Sequence, residues 1–164
     1  MLNSKLGRLL IVDDEIDTLT PLHDLLSEWG YEVTAYTSGR DALGALKEKE
    51  FDLLLTDLVM PEMDGIELMR AAVKIDPLLV PIIITGKGTI QTAVEAMKTG
   101  AFDYLLKPIE WKMLRPVLSR AIEVRRLRKA EERYRSIVED QTELVCRFLP
   151  DGTLTFVNEA YCRY

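Results

Sequence analysis

The chain has 164 residues, 48% hydrophobic and 29% charged, with a formal charge of −6. That leaves room for one full domain and a fragment, or for two very small domains. No run of about 18 apolar residues occurs, which excludes a membrane-spanning helix, and Met1-Leu2-Asn3-Ser4-Lys5 lacks the apolar core of a secretion signal.

In chain order, Arg8 to Asp13 reads as a buried strand, an apolar run (Leu9-Leu10-Ile11-Val12) closing on Asp13-Asp14-Glu15. A helix follows from Glu15 to about Trp29, with Leu19, Leu22, Leu25, Leu26 and Trp29 at helical spacing and Gly30 as its stop. Pro21 inside it costs a hydrogen bond unless it lies in the first turns. His23, the sole histidine, has no second metal ligand or serine partner nearby and reads as a surface residue. Tyr31 to Tyr36 alternates like a strand near a sheet edge. Ser38 caps a helix through about Lys49, with Ala42, Leu43 and Leu46 facing inward.

Next comes Asp52-Leu53-Leu54-Leu55-Thr56-Asp57, a short apolar run delivering a carboxylate at its end. Pro61 and Asp64-Gly65 turn the chain, and a helix follows from about Gly65 to Ile75. Pro81-Ile82-Ile83-Ile84-Thr85-Gly86 is a further strand. Thr89 to Lys98 reads as a helix, with Ile90, Ala93, Val94 and Met97 at helical spacing and Gly100 as its stop. Phe102 to Pro108 is the fifth strand and ends in Lys107.

Strands alternating with helices predict a doubly wound α/β sheet. In a parallel sheet the strand ends share one edge, so Asp13, Asp14, Asp57, Thr85 and Lys107 converge there. With those residues in view, residues 7 to 123 resemble the phosphoacceptor receiver domain of two-component response regulators. The resemblance implies a flavodoxin-like sheet of order 2-1-3-4-5. It also implies that Asp57 is phosphorylated by a phosphorylated histidine kinase or phosphotransfer protein, with Lys107 and Thr85 contacting the phosphoryl oxygens. Tyr104 matches the family's switch aromatic. Asp13, or Asp14 directly with Asp13 acting through water, then holds magnesium together with Asp57 and the Val59 backbone carbonyl. Lys107-Pro108 resembles the family's cis peptide.

Clustered carboxylates are compatible only if one is protonated or a cation lies among them, and oxygen ligands with open water positions suit magnesium. Two other readings stand beside the phosphorylated switch: a docking-only receiver, and an aspartate-nucleophile phosphohydrolase. The second is disfavoured because such enzymes usually need an acid two residues after the nucleophile, where Val59 stands.

A helix starts near Glu110 and has no breaker from Val117 to Arg135. Residues 110–135 carry nine Lys/Arg against four acids, a local +5 that leaves −11 on the remainder. Without aromatic or Gly-rich elements beside it, this stretch reads as a solvated linker rather than a nucleic-acid site. Val117, Ala121, Val124, Leu127, Tyr134 and Val138 keep three-or-four spacing, interrupted at Glu131. Either a coiled-coil seam joins a homodimer through residues 117–138, or a single helix lies on its own domain.

From Tyr134 the text changes. Leu144 to Phe148 and Leu154 to Asn158 flank Asp151-Gly152, a hairpin signal. The stretch resembles the opening of a PAS sensor domain, with Asn158 starting its first inner helix. The expected organisation is a receiver at 1–123, a helical linker at 124–135 and a PAS fragment at 136–164. A chain so built looks cut from a longer protein, and the resemblance implies a sensor histidine kinase, or less often a cyclase or a transcription activator. Cys146 and Cys162 match no metal spacing and read as free thiols of a reduced, cytoplasmic protein.

Overall fold

The computed structural model describes residues 5–140 and 143–163. Met1–Ser4, read above for a signal segment, and Gln141, Thr142 and Tyr164 of the expected PAS fragment lie outside the described residues. Two compact units are present, residues 1–125 and 126–164. In the first, β1 (Arg8–Val12), β2 (Glu32–Tyr36), β3 (Leu53–Asp57), β4 (Val80–Thr85) and β5 (Asp103–Leu106) form one parallel sheet. Its order is β2-β1-β3-β4-β5, the expected flavodoxin-like winding. The strands alternate with α1 (Ile16–Glu28), α2 (Gly39–Glu48), α3 (Gly65–Ile75) and α4 (Ile90–Thr99), and α5 (Trp111–Glu139) follows β5.

Strand alternation divides the core. Leu9, Ile11, Leu53, Leu55, Val80, Ile82 and Ile84 pack with Leu19, Leu22 and Leu26 of α1 and with Leu114, Val117, Leu118 and Ala121 of α5. Leu10, Val12 and Leu54 point to the other face, against Ala42 and Leu46 of α2 and Leu68 and Ala72 of α3. Ile83 joins Ile66, Met69 and Ala96 in a third cluster. Burying each large apolar side chain stabilises by roughly 1.5–3 kcal/mol. That explains why the three central strands read as nearly continuous apolar runs.

Helix starts follow from local chemistry. Ser38 accepts from the Asp41 amide, and Asp64 and Thr89 each form a reciprocal capping box, with Glu67 and Thr92 respectively. α1 continues through Pro21, and both Pro21 and Asp17, the residue whose carbonyl loses its intrahelical donor, are solvent-exposed. The Lys107-Pro108 peptide is cis, as expected.

The apolar residues of α4 do not all face the core: Ile90 is 85% exposed, and Val94 and Met97 are about half exposed, while Ala96 is fully buried. Nor can a seam between copies begin at Val117. Val117 and Ala121 are buried in the first unit's own core, so a lateral contact along α5 starts only after Arg125. α5 ends at Glu139.

The second unit contains the rest of α5, the antiparallel pair β6 (Cys146–Phe148) and β7 (Leu154–Val157), and α6 (Glu159–Arg163). Asp151-Gly152 turns the hairpin, with Gly152 at φ 87°. Asn158 is fully buried. Its Nδ2 donates to the carbonyls of Val138 and Glu143, and its Oδ1 accepts from the Val145 and Tyr161 amides. Glu139 on α5 accepts from the first amide of α6 at 2.7 Å. Cys146 and Cys162 are free and exposed.

Candidate functional site

Sheet register brings the site together. Val12 is level with Thr56, and Thr85 with Leu106, so Asp13, Asp57 and Lys107 follow one another along the same edge. Gly65 lets α3 begin directly under that edge: its amide donates to the Leu58 carbonyl, and a side chain there would run into the Asp57 carbonyl. Thr56, buried behind the lip, donates to the same Asp57 carbonyl at 3.0 Å.

Asp13 and Asp57 are buried and Asp14 is exposed, and one carboxylate oxygen from each lies within 4.8 Å of the others. Lys107 Nζ donates to Asp13 Oδ2 at 2.6 Å and stands 3.5 Å from Asp57 Oδ1. The other Asp13 oxygen accepts from the Glu15 amide at 2.9 Å. Asp57 Oδ1 is buried with no hydrogen-bond partner. Burial, chiefly, pushes the Asp57 pKa up; Lys107 opposes this and the charge of Asp13 adds to it. Burial disfavours the charge on Lys107, but its hydrogen bond and charge pairing with Asp13, helped by Asp57, outweigh that and raise its pKa.

The crevice beside Asp57 has a volume of about 420 Å³ and is lined by Asp14, Val59, Thr85, Lys87 and Lys107 among others. Val59 is 47% exposed, so an apolar side chain flanks the carboxylate. Thr85 is buried, and its hydroxyl accepts from the Lys87 amide at 3.2 Å. The five residues singled out at the strand ends are therefore together. Tyr104 lies half-buried, and its hydroxyl is 3.1 Å from Thr92 Oγ1, which also serves the α4 capping box. A side chain at Gly88 would meet the Tyr104 hydroxyl. Thr92 and Gly88 escaped the sequence reading; the close pair Gly86 and Gly88 before a capping threonine was the available signal. His23 is a partly exposed residue 3.1 Å from Asp24, away from the crevice, as expected. Among the described residues, no helix is long and apolar enough to cross a membrane.

A hard divalent cation fits this donor set. Three carboxylates supply oxygen ligands, and Asp57 Oδ1 has no hydrogen-bond partner, with only the Lys107 ammonium 3.5 Å away.

Known proteins carry the same pattern. The chain is 44% identical over 114 residues to the transcriptional regulatory protein ZraR of Escherichia coli K12, covering 70% of this chain but only 26% of that protein. A response regulator receiver domain protein from Clostridium thermocellum superposes with a TM-score of 0.70 at 35% identity, covering 74% of this chain and 98% of that one. The beryllofluoride-activated NtrC4 receiver domain dimer matches with a TM-score of 0.69 at 34% identity, over 72% of this chain and 98% of that one. Residues 9–119 match the response regulator receiver domain as a family. Sheet order, acid cluster and family match agree, and the chain belongs to the response regulator receivers, the phosphoacceptor domains of two-component signalling.

Proposed function

We propose that Asp57 is the phosphoacceptor of a cytoplasmic phosphorelay and takes its phosphoryl group from a phosphohistidine on a kinase or phosphotransfer protein. The observation that carries this reading is the Asp57 carboxylate lining the crevice at the sheet edge, one oxygen without a hydrogen-bond partner and 3.5 Å from the Lys107 ammonium. An Asp57 oxygen attacks phosphorus in line. The new P–O bond forms as the P–N bond breaks, and the donor imidazole leaves with the electron pair. Lys107 turns from Asp13 to the phosphoryl oxygens, and the Thr85 hydroxyl donates a hydrogen bond to them. Asp13, Asp14, Asp57 and the Val59 carbonyl would hold magnesium, which when bound offsets the negative charge between nucleophile and phosphoryl group. Tyr104 leaves Thr92 as Thr85 moves, and this changes the face formed by α4, β5 and α5.

The test is incubation with acetyl phosphate and magnesium followed by intact-mass and peptide mass spectrometry. One added phosphate on Asp57, absent from Asp57→Asn, supports the assignment. A phosphate that persists in Asp57→Asn overturns it, and no uptake by the native chain favours a docking-only receiver.

In the organisation proposed, a receiver at 1–123 and a linker at 124–135 lead into a PAS domain opening at 136–164, in a sensor histidine kinase. The Asp-Gly hairpin and the buried Asn158 at the start of α6 support that opening. The matched ZraR is a transcriptional regulator, which favours a second reading with a DNA-binding output. ATP-dependent autophosphorylation of the full-length protein separates the two. Two copies pair through the part of 117–138 that the receiver core leaves exposed.

A further inference from the structure

From Arg126 to Ile137 every side chain of α5 except Lys129 is exposed. Leu127, Tyr134 and Ile137 are 61%, 63% and 52% accessible. A solitary helical stretch this short is marginal in water, and an apolar stripe along it calls for a cover. Leu127, Ala130, Tyr134 and Ile137 are spaced by three, four and three residues. At about 100° per residue they lie within a band about 80° wide. That is the a/d spacing of a two-stranded coiled coil.

We propose that this stripe is the contact for the same helix of a second copy, running parallel and in register, with Leu127 and Tyr134 at a positions and Ala130 and Ile137 at d positions. The inference rests on the pairing proposed above and specifies its face, register and direction. Charge selects both the occupant and the direction. With this register Arg126 and Arg133 take g positions and Glu131 takes an e position. In a parallel pair each Arg126 meets the other copy's Glu131. In an antiparallel pair with Leu127 opposite Ile137, g meets g and e meets e, so Arg133 is brought against the other Arg133 and Glu131 against the other Glu131. The remaining charged residues, Arg128, Lys129, Glu132, Arg135 and Glu139, fall at b, c and f positions, off the seam. Glu131 also pairs along its own helix with Arg135 at 3.4 Å, an exposed contact of small energetic worth. Two heptads form a weak coiled coil, so the dimer is populated at high protein concentration.

The experiment uses the full chain with Cys146→Ser and Cys162→Ser, both exposed positions, checked by circular dichroism. Single cysteines are added as Ala130→Cys at the seam or Arg128→Cys off it, then mildly oxidised. The expected result is covalent dimer from Ala130→Cys at ten or more times the rate for Arg128→Cys. Leu127→Glu with Tyr134→Glu should raise the dimer dissociation constant at least tenfold in sedimentation. Equal cross-linking at the two positions overturns the register. Cross-linking of a Leu127→Cys chain with an Ile137→Cys chain overturns the direction. A monomer at every concentration, without cross-links, overturns the surface itself. Phosphate uptake at Asp57 is measured on the same variants. If uptake persists while the seam is absent, this inference fails alone and the phosphoacceptor reading stands.

Discussion

Arg125 offers the sharpest stability test. It is 2% exposed, on the stretch of α5 that packs against the receiver sheet. Its Nη1 and Nη2 donate to the two oxygens of Asp76 at 3.0 and 2.6 Å, and its Nε lies 3.5 Å from Asp52 Oδ1. The pairing joins α5 to the residue that caps the end of α3 and to the one preceding β3. Arg125→Met keeps the aliphatic stem but removes a buried guanidinium facing two acids. Removing one partner of a buried ion pair costs about 3–5 kcal/mol. Both acids keep a backbone donor, Leu78 for Asp76 and Arg8 for Asp52, and their side chains are 20% and 22% exposed. Water can therefore solvate them in part, and the expected loss is near the lower end, about 3 kcal/mol. For a domain of this size that lowers the melting temperature by roughly 10 °C. Urea unfolding of native, Arg125→Met, Asp76→Asn and double-variant chains forms the test. Coupling of at least about 1 kcal/mol is expected between contacting residues. Additive losses, or a loss below about 1 kcal/mol for Arg125→Met, would show that the guanidinium contributes little.

Asp57→Asn should raise the thermal stability of the magnesium-free protein near neutral pH. Because burial raises the Asp57 pKa above 3.8, its contribution is fully present below that value and is lost as pH rises through the folded pKa. The variant should lack this fall in a melting-temperature titration over the same window, and an unchanged profile would contradict it. Val59→Asn replaces an apolar side chain at the crevice with one able to hold a water by hydrogen bonds. Loss of phosphate from Asp57 should quicken, as followed by mass spectrometry over time; unchanged or slower decay counts against the reasoning. Gly88→Ala forces the Tyr104 hydroxyl and Leu106 aside, and overpacking of this kind costs about 1–3 kcal/mol. Urea unfolding should detect that cost, and a crystal structure of the variant with Tyr104 still against Thr92 would refute the steric argument.

The strand ends were legible because the sheet's chemistry is local in sequence. The apolar runs of β1, β3 and β4 announce strands buried on both faces, and the polar residue closing each run falls on the one edge where parallel strands end. Asp57 and Lys107 are 50 positions apart in sequence and adjacent in space by register alone. Where burial is set by a partner's shape, helical spacing alone does not decide it. In α4 the close contact with the sheet is made by Ala96, and Ile90, Val94 and Met97 are left outside.

Arg125 and Asn158 were harder to read because their partners are remote or are backbone groups. Arg125 sits in a run of cations that composition assigns to a solvated linker, and Asp76 is 49 residues away. Only the fold reveals that one cation of that run is buried and paired. Asn158 was recognised as the start of a helix, but its side chain bonds to carbonyls and amides, which leave no mark on the sequence. The same logic divides α5. Up to Arg125 its apolar positions serve the receiver's own core. From Leu127 the stripe resumes on a seam that Arg120 and Glu123, one heptad earlier, cannot extend. A single unbroken run of helix formers thus carries two faces, and the ion pairs of Arg125 fall at the point where one gives way to the other.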